Sequence, residues 1–333
     1  MIRIEFDNRI RLIASVLLLT KFVDENSSWK PHPLKLKTIK YLSRFSDHPC
    51  ARASRELAES RWMSAFYCYG VLLEQASRGF ALRKEAKRVG YDVSEVLKDF
   101  EDKGYSSLLA SFCGDTDIDS FWKQTGQAWD EIEMDCRTLL DDSGLCEFLS
   151  LFFGKLGDDL LLVPNPLDPA GFGFGPNDGA TAYCIVGPPT VPPESPAPVT
   201  YDAEPGYLRN MAFHEFAHTL YADLHEQCPD LTPQTAHLQT KVNPRGWFVD
   251  MYDSWELRLD EILIRATTAL FLSCVEDEAS AEAAVERERR EHGLDIIIPV
   301  YWLLREYLQS RQQGECSGIR EYAPVLCSKL AML

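Results

Sequence analysis

Tyr207-Leu-Arg-Asn-Met-Ala-Phe-His-Glu-Phe-Ala-His-Thr-Leu220 follows Pro205 and Gly206 and continues to Gln227 without another proline or glycine. That composition predicts one helix over about 206–227. Residues i and i+4 leave a helix on the same face. His214-Glu215-Phe216-Ala217-His218 is an H-E-x-x-H sequence, so its two imidazoles can reach one metal ion. Glu215, one place on from the first histidine, can address a metal-bound water as general base. Zinc lowers the pKa of such a water to about 7, within reach of a carboxylate at neutral pH. The chain has only seven histidines. A chance match to three fixed residues is then on the order of one per cent.

A catalytic zinc takes three protein ligands and keeps one position open. The extended form H-E-x-x-H-x-x-G-x-x-H requires glycine at 221 and histidine at 224, where this chain has Tyr221 and Leu224. His225 shares a helical face with His218, but seven residues at 1.5 Å rise set the two about 10 Å apart, too far for one ion. The third ligand is therefore expected from another helix. Asp253-Ser-Trp-Glu-Leu-Arg-Leu-Asp-Glu-Ile-Leu-Ile-Arg-Ala266 offers Glu256, Asp260 and Glu261. Glu261 stands among Leu257, Leu259, Ile262, Leu263 and Ile264, where a buried carboxylate needs a cation. A metal would supply one, and the competing explanation is a salt bridge to Arg265 at i+4.

Working outward, residues 1 to about 110 read as helical, in segments 8–23, 34–45, 51–89 and 93–112. His48, in Asp47-His-Pro49, reads as a turn residue bonded to backbone. A long helical stretch follows at about 117–155, started by Asp117 or Asp119 and ended by Gly154 and Gly157. The apolar runs Leu160-Leu-Leu-Val163 and Ala180-Thr-Ala-Tyr-Cys-Ile-Val186 predict buried strands. Between them, Gly171-Phe-Gly-Phe-Gly175 lacks a phosphate-loop pattern and reads as a turn or an exposed sheet edge. Pro188 to Pro198 is an irregular loop. Helices return at about 254–275, 277–291, 296–312 and 319–331, of which Glu276 to His292 reads as a solvated helix of alternating charges.

With 333 residues and 45% hydrophobic composition, the chain can bury a sizeable core. Its 51 acidic against 34 basic residues leave a formal charge of -17, which disfavours nucleic acid and anionic membrane as partners. Ile13-Ala-Ser-Val-Leu-Leu-Leu19 is apolar but short and follows Glu5 and Asp7, unlike a secretory signal. The expectation is a cytoplasmic protein. Its ten cysteines are scattered with no C-x-x-C pair, which predicts reduced thiols and no cysteine-based zinc site.

His214 to His218, Tyr252-Asp-Ser-Trp255 and Glu261-Ile-Leu-Ile-Arg265-Ala266 together resemble the bacterial "domain of unknown function 4932" family of gluzincin-type zinc metallopeptidases. Weaker similarity includes Asn8-Arg-Ile-Arg-Leu12, Asp47-His-Pro49, Phe152-Phe-Gly154 and the 160–175 segment. Members often carry Asn-Pro soon after the second histidine, whereas Thr219-Leu-Tyr-Ala222 stands here and Asn243-Pro244 comes later. The resemblance implies a zincin-like fold, with a small sheet whose edge strand borders a cleft and two helices that carry the ligands. It supports Glu261 as third ligand. Thermolysin-like gluzincins place a tyrosine that steadies the oxyanion a little before the glutamate ligand, which points to Tyr252, with packing against Trp255 as the alternative reading of that residue; His237 and Tyr301 are weaker candidates for the role.

The expectation is thus an α+β, predominantly helical protein. A helical N-terminal region (1–114) would precede a zincin-like metallohydrolase domain (115–333). Zinc would sit on His214, His218 and Glu261, with Glu215 and Tyr252 catalytic and a peptide or protein as substrate. Two alternatives stand beside it: a zinc hydrolase of non-peptide amides, and a regulatory or binding protein with a structural or vestigial zinc site. A purely structural site has no need of Glu215.

Overall fold

The computed structural model describes residues 2–24, 28–74, 80–83, 94–156, 159–204 and 206–333. The fold is mostly helical with one small mixed sheet, as the α+β reading expects. In chain order come β1 (Ile2–Ile4), α1 (Asn8–Leu17), α2 (Pro33–Leu42), α3 (Pro49–Ala58) and α4 (Met63–Val71). They are followed by α5 (Ser94–Asp102), α6 (Tyr105–Thr116), α7 (Ile118–Gln124), α8 (Gly126–Leu140) and α9 (Leu145–Phe153). The strands β2 (Asp159–Pro164), β3 (Gly173–Phe174) and β4 (Thr181–Val186) lead into α10 (Tyr207–Leu220). The remainder is α11 (Ala222–Gln227), α12 (Leu231–Thr235), α13 (Trp247–Met251), α14 (Trp255–Val275), α15 (Glu278–His292), α16 (Ile297–Gln312) and α17 (Ile319–Ala331). No helix among the described residues is long and apolar enough to cross a membrane.

By contacts the chain forms two compact units, Met1–Asp141 with Asp158–Glu215, and Asp142–Gly157 with Phe216–Leu333. The division falls inside α10, so one continuous helix contributes to both.

In the first unit the strand order is β1-β2-β4-β3. β1, β2 and β4 are parallel, while β3 runs antiparallel to β4 and forms an edge. The expected strands at 160–163 and 180–186 are β2 and β4, and each is buried along all but its first residue. Both faces of a parallel strand are covered, so an unbroken apolar run rather than alternation is what such a strand needs. β1, within a region read as helical, pairs Ile2 with Leu160 and Ile4 with Leu162. Three residues at a chain end carry no usable periodicity, and only the distant partner makes them a strand.

α1 begins at Asp7, whose side chain accepts from the Arg9 amide. The buried Arg9 guanidinium donates to Asp7, to the carbonyls of Val71 and Leu73 at 2.9 and 2.8 Å, and to the Tyr183 hydroxyl at 3.0 Å. It thereby ties α1 to the end of α4 and to β4. His48 is a turn residue bonded to backbone, as expected: its Nδ1 accepts from the Cys50 amide at 3.1 Å and caps α3 ahead of Pro49. His32 does the same for α2 ahead of Pro33, and burial pushes that imidazole down to about 4, so it stays neutral.

Several expected helices are broken. The stretch at 51–89 is helical in α3 and α4 only; Leu73 and Leu82 instead form an antiparallel bridge, and its segments 75–79 and 84–89 lie outside the described residues. The stretch at 93–112 divides at Gly104 (φ 59°) into α5 and α6. That at 117–155 is three helices, which start after Asp117 (φ 50°), at Gly126 and after Gly144 (φ 73°). A residue with positive φ cannot continue a right-handed helix.

In the second unit the long α14 packs against α15 and α16. Ser254 caps it by accepting from the Leu257 amide at 3.3 Å. The Tyr221 hydroxyl and Thr267 Oγ1 are 2.5 Å apart, joining the residue after α10 to the middle of α14. The bounds of α16 and α17 lie within a residue of expectation. α15 departs from it: Ala281, Ala284, Val285 and Glu288 form a buried stripe, so one face of this charged helix is turned inward.

Candidate metal centre

α10 is buried nearly all round, through Leu208, Ala212, Phe213, Phe216 and Ala217. Apolar surface on most sides of a helix fixes its rotation and therefore the direction of its few polar side chains. The Tyr207 hydroxyl donates to the Gly187 carbonyl at 3.1 Å and anchors the start. His214 and His218 follow one turn apart, as the spacing predicts.

Glu261 on α14 is fully buried. One ring nitrogen each from His214 and His218 and one carboxylate oxygen from Glu261 lie within 4.8 Å of one another. His218 Nε2 is 3.7 Å from Glu261 Oε2. Two ligands each about 2.1 Å from a tetrahedral ion stand roughly 3.4 Å apart, so this spacing suits a shared metal. The donor set fits as well. Burial pushes the His218 imidazole below its ordinary value although Glu261 and Asp260 oppose the shift, and a neutral ring presents a lone pair. This group of two half-buried imidazoles and a buried carboxylate could hold a metal ion. Of the three acidic candidates, Glu261 is the one in the group.

The salt bridge to Arg265, weighed against metal ligation, is present as well. Arg265 Nε donates to Glu261 Oε1 at 2.5 Å, while Oε2 is the oxygen near His218. The two roles use different oxygens of one carboxylate. Arg265 continues to Glu288, donating from NH1 to Oε2 at 2.7 Å. Burial acts against its charge, but Glu261 and Glu288 outweigh that and hold it protonated well above its ordinary range.

Glu215 is buried on the same helix and is not one of the three clustered residues. Its surroundings in the first unit come from the glycine-rich segment, read as a turn or exposed edge and found as edge strand β3 with its flanks. A Cβ on Gly173 would lie 3.0 Å from Glu215 Cδ, and one on Gly175 would lie 3.0 Å from the Glu215 carbonyl carbon. Glycine at these two places lets the strand lie directly against the Glu215 turn.

The other candidates are placed as follows. Tyr252 follows α13, and its ring lies 4.8 Å from that of Phe248 and near Arg265. Its carbonyl accepts from Arg258 Nε at 2.7 Å. His225 is outside the metal group, paired by Nε2 with Asp260 Oδ1 at 2.5 Å, and its pKa is raised by that bond. His237 is exposed on a short 3-10 helix, and the Tyr301 hydroxyl donates to Glu278 at 3.2 Å. Glu288 and His292 were missed because α15 reads as charged all round. The signal was there in the small residues Ala281 and Ala284, spaced at three and then four from Glu288.

Comparison of the chain with family models, with curated proteins and with solved structures finds no match. The functional reading therefore stands on the site's own chemistry.

Proposed function

We propose that this chain is a zinc-dependent metallopeptidase of the gluzincin type, with His214, His218 and Glu261 as ligands and Glu215 as general base. The observation that carries the reading is the convergence of those three donors beside an adjacent acid that is not among them. Zinc, when bound, would supply Lewis acidity and a water acidified to a pKa of about 7. Glu215 accepts the proton from the attacking water as its oxygen bonds to the scissile carbonyl carbon. The same carboxyl then gives that proton to the leaving amine nitrogen as the C–N bond breaks. Tyr252 is assigned to donate a hydrogen bond to the carbonyl oxygen as negative charge grows there.

A peptide is favoured over other amides by β3. An edge strand offers unpaired main-chain groups with which an extended peptide can pair. A chain held on β3 would run past Glu215. A zincin-like fold, and with it the resemblance to the family named above, belongs to this proposal.

The test is metal content by mass spectrometry on protein purified without added metal. Near-stoichiometric zinc, lost in His214→Ala and in Glu261→Ala, supports the site; a wild type that takes up no zinc even when supplied sinks it. Glu215→Gln then separates enzyme from binding protein. It is expected to keep zinc and to lose hydrolysis of a peptide mixture that the wild type cleaves.

A further inference from the structure

Arg265 lies between two buried carboxylates that belong to different helices. Glu261 on α14 takes its Nε, and Glu288 on α15, only 7% exposed, takes its NH1. His292 Nε2 stands 3.6 Å from the same Glu288 oxygen, one turn further along α15. Phe248 covers the group from α13, with its ring 5.8 Å from the Arg265 guanidinium carbon and 6.0 Å from the His292 ring. Arg287, largely exposed, brings its Nε to 3.9 Å from the other Glu288 oxygen.

We propose that Glu288 is a positioning residue for the metal centre: it fixes Arg265, and Arg265 fixes the Glu261 carboxylate with Oε1 engaged and Oε2 turned toward His218. The inference rests on the zinc reading above and deepens it. A buried carboxylate free to rotate would offer either oxygen in several orientations, and a metal would have to pay the ordering entropy on binding. A planar guanidinium that holds one oxygen removes that freedom beforehand. Arg265 alone would do so at an electrostatic disadvantage, because its positive charge opposes a divalent cation nearby. Glu288 cancels that charge. The pair Arg265–Glu288 thus orients Glu261 without repelling the metal. Partners that orient a ligand in this way typically contribute 10–100-fold to metal affinity.

The experiment is zinc affinity by competition with a chromophoric chelator, on wild type, Glu288→Gln and Arg265→Lys, with circular dichroism and urea unfolding of the zinc-free proteins beside it. Glu288→Gln keeps the shape and removes the charge; Arg265→Lys keeps the charge but lacks the fork that serves two carboxylates. Each is expected to bind zinc about 10–100-fold more weakly while retaining the helical spectrum. A folded variant of either kind with wild-type zinc affinity overturns the inference, whatever its unfolding curve, since a merely structural ion pair would change only the latter. Failure of both variants to fold also overturns it, by showing that the group serves folding first. A wild type that binds no zinc is a separate result and refutes the site itself.

Discussion

Adding one methyl group to Gly175 tests whether the edge strand and the proposed general base are locked together. The new Cβ would be 3.0 Å from the Glu215 carbonyl carbon and 3.3 Å from its Cα, with the carbonyl oxygen nearer still. Carbon–oxygen contacts sit at about 3.3–3.6 Å, so the carbonyl oxygen, the nearest atom, forces strand and helix to part by more than about 1 Å. All three neighbours are backbone, and no rotamer change relieves the contact. Overpacking of this kind costs about 1–3 kcal/mol. Gly173→Ala is the informative partner. Its Cβ meets Met211 Sδ at 2.5 Å and Glu215 Cδ at 3.0 Å, both in side chains that can swing aside. It should therefore cost less stability, yet it moves the very carboxylate on which turnover depends. A misplacement of about 1 Å can lower a rate by about 100-fold. The assay is urea unfolding of both variants, with zinc content and cleavage of the peptide mixture measured on the same samples. The expected pattern is a clear stability loss in Gly175→Ala, and a turnover loss out of proportion to stability in Gly173→Ala, with zinc kept in both. Wild-type unfolding of Gly175→Ala would refute the close approach of β3 to α10.

Two further predictions concern the first unit. His48→Ala removes the cap of α3 and should lower the unfolding free energy by about 1 kcal/mol. Because His48 Nε2 also pairs with Asp115 at 3.1 Å, the neutral cap His48→Asn is the rescue and should largely restore it, and equal stability of all three in urea would rule out the cap. Asp168 is buried with Tyr67 and Asn165 donating to it, and burial raises its carboxyl to about 7 although those bonds oppose the shift. A folded pKa above the unfolded one means stability that is present at low pH and lost as pH rises from about 4 through about 7. Wild type should therefore gain on Asp168→Asn in urea unfolding when pH falls from about 8 to about 5, and a pH-independent difference would refute the shift.

Much of the site was legible in the sequence because it is local. The i, i+4 spacing of His214 and His218 needs only that the residues around them be helical; the helix expected over 206–227 holds as α10 to Leu220 and then divides at Tyr221 into α11. Apolar runs bounded by polar residues sufficed for β2 and β4, and the caps and breakers of the last helices gave bounds close to those observed. The partners of Glu261 were open, since ligation and the Arg265 salt bridge looked like alternatives until the structure assigned one oxygen to each.

What the sequence determined by itself is the helix with its two histidines and Glu215, because backbone periodicity is set by residues within a turn of one another. What only the tertiary structure decided is which distant groups meet. Ile2–Ile4 became a strand through Leu160–Leu162, β3 came to rest against Glu215, and Glu288 turned inward to Arg265. Such contacts follow from packing and charge compensation among separate elements, and these leave no period in the chain to be read.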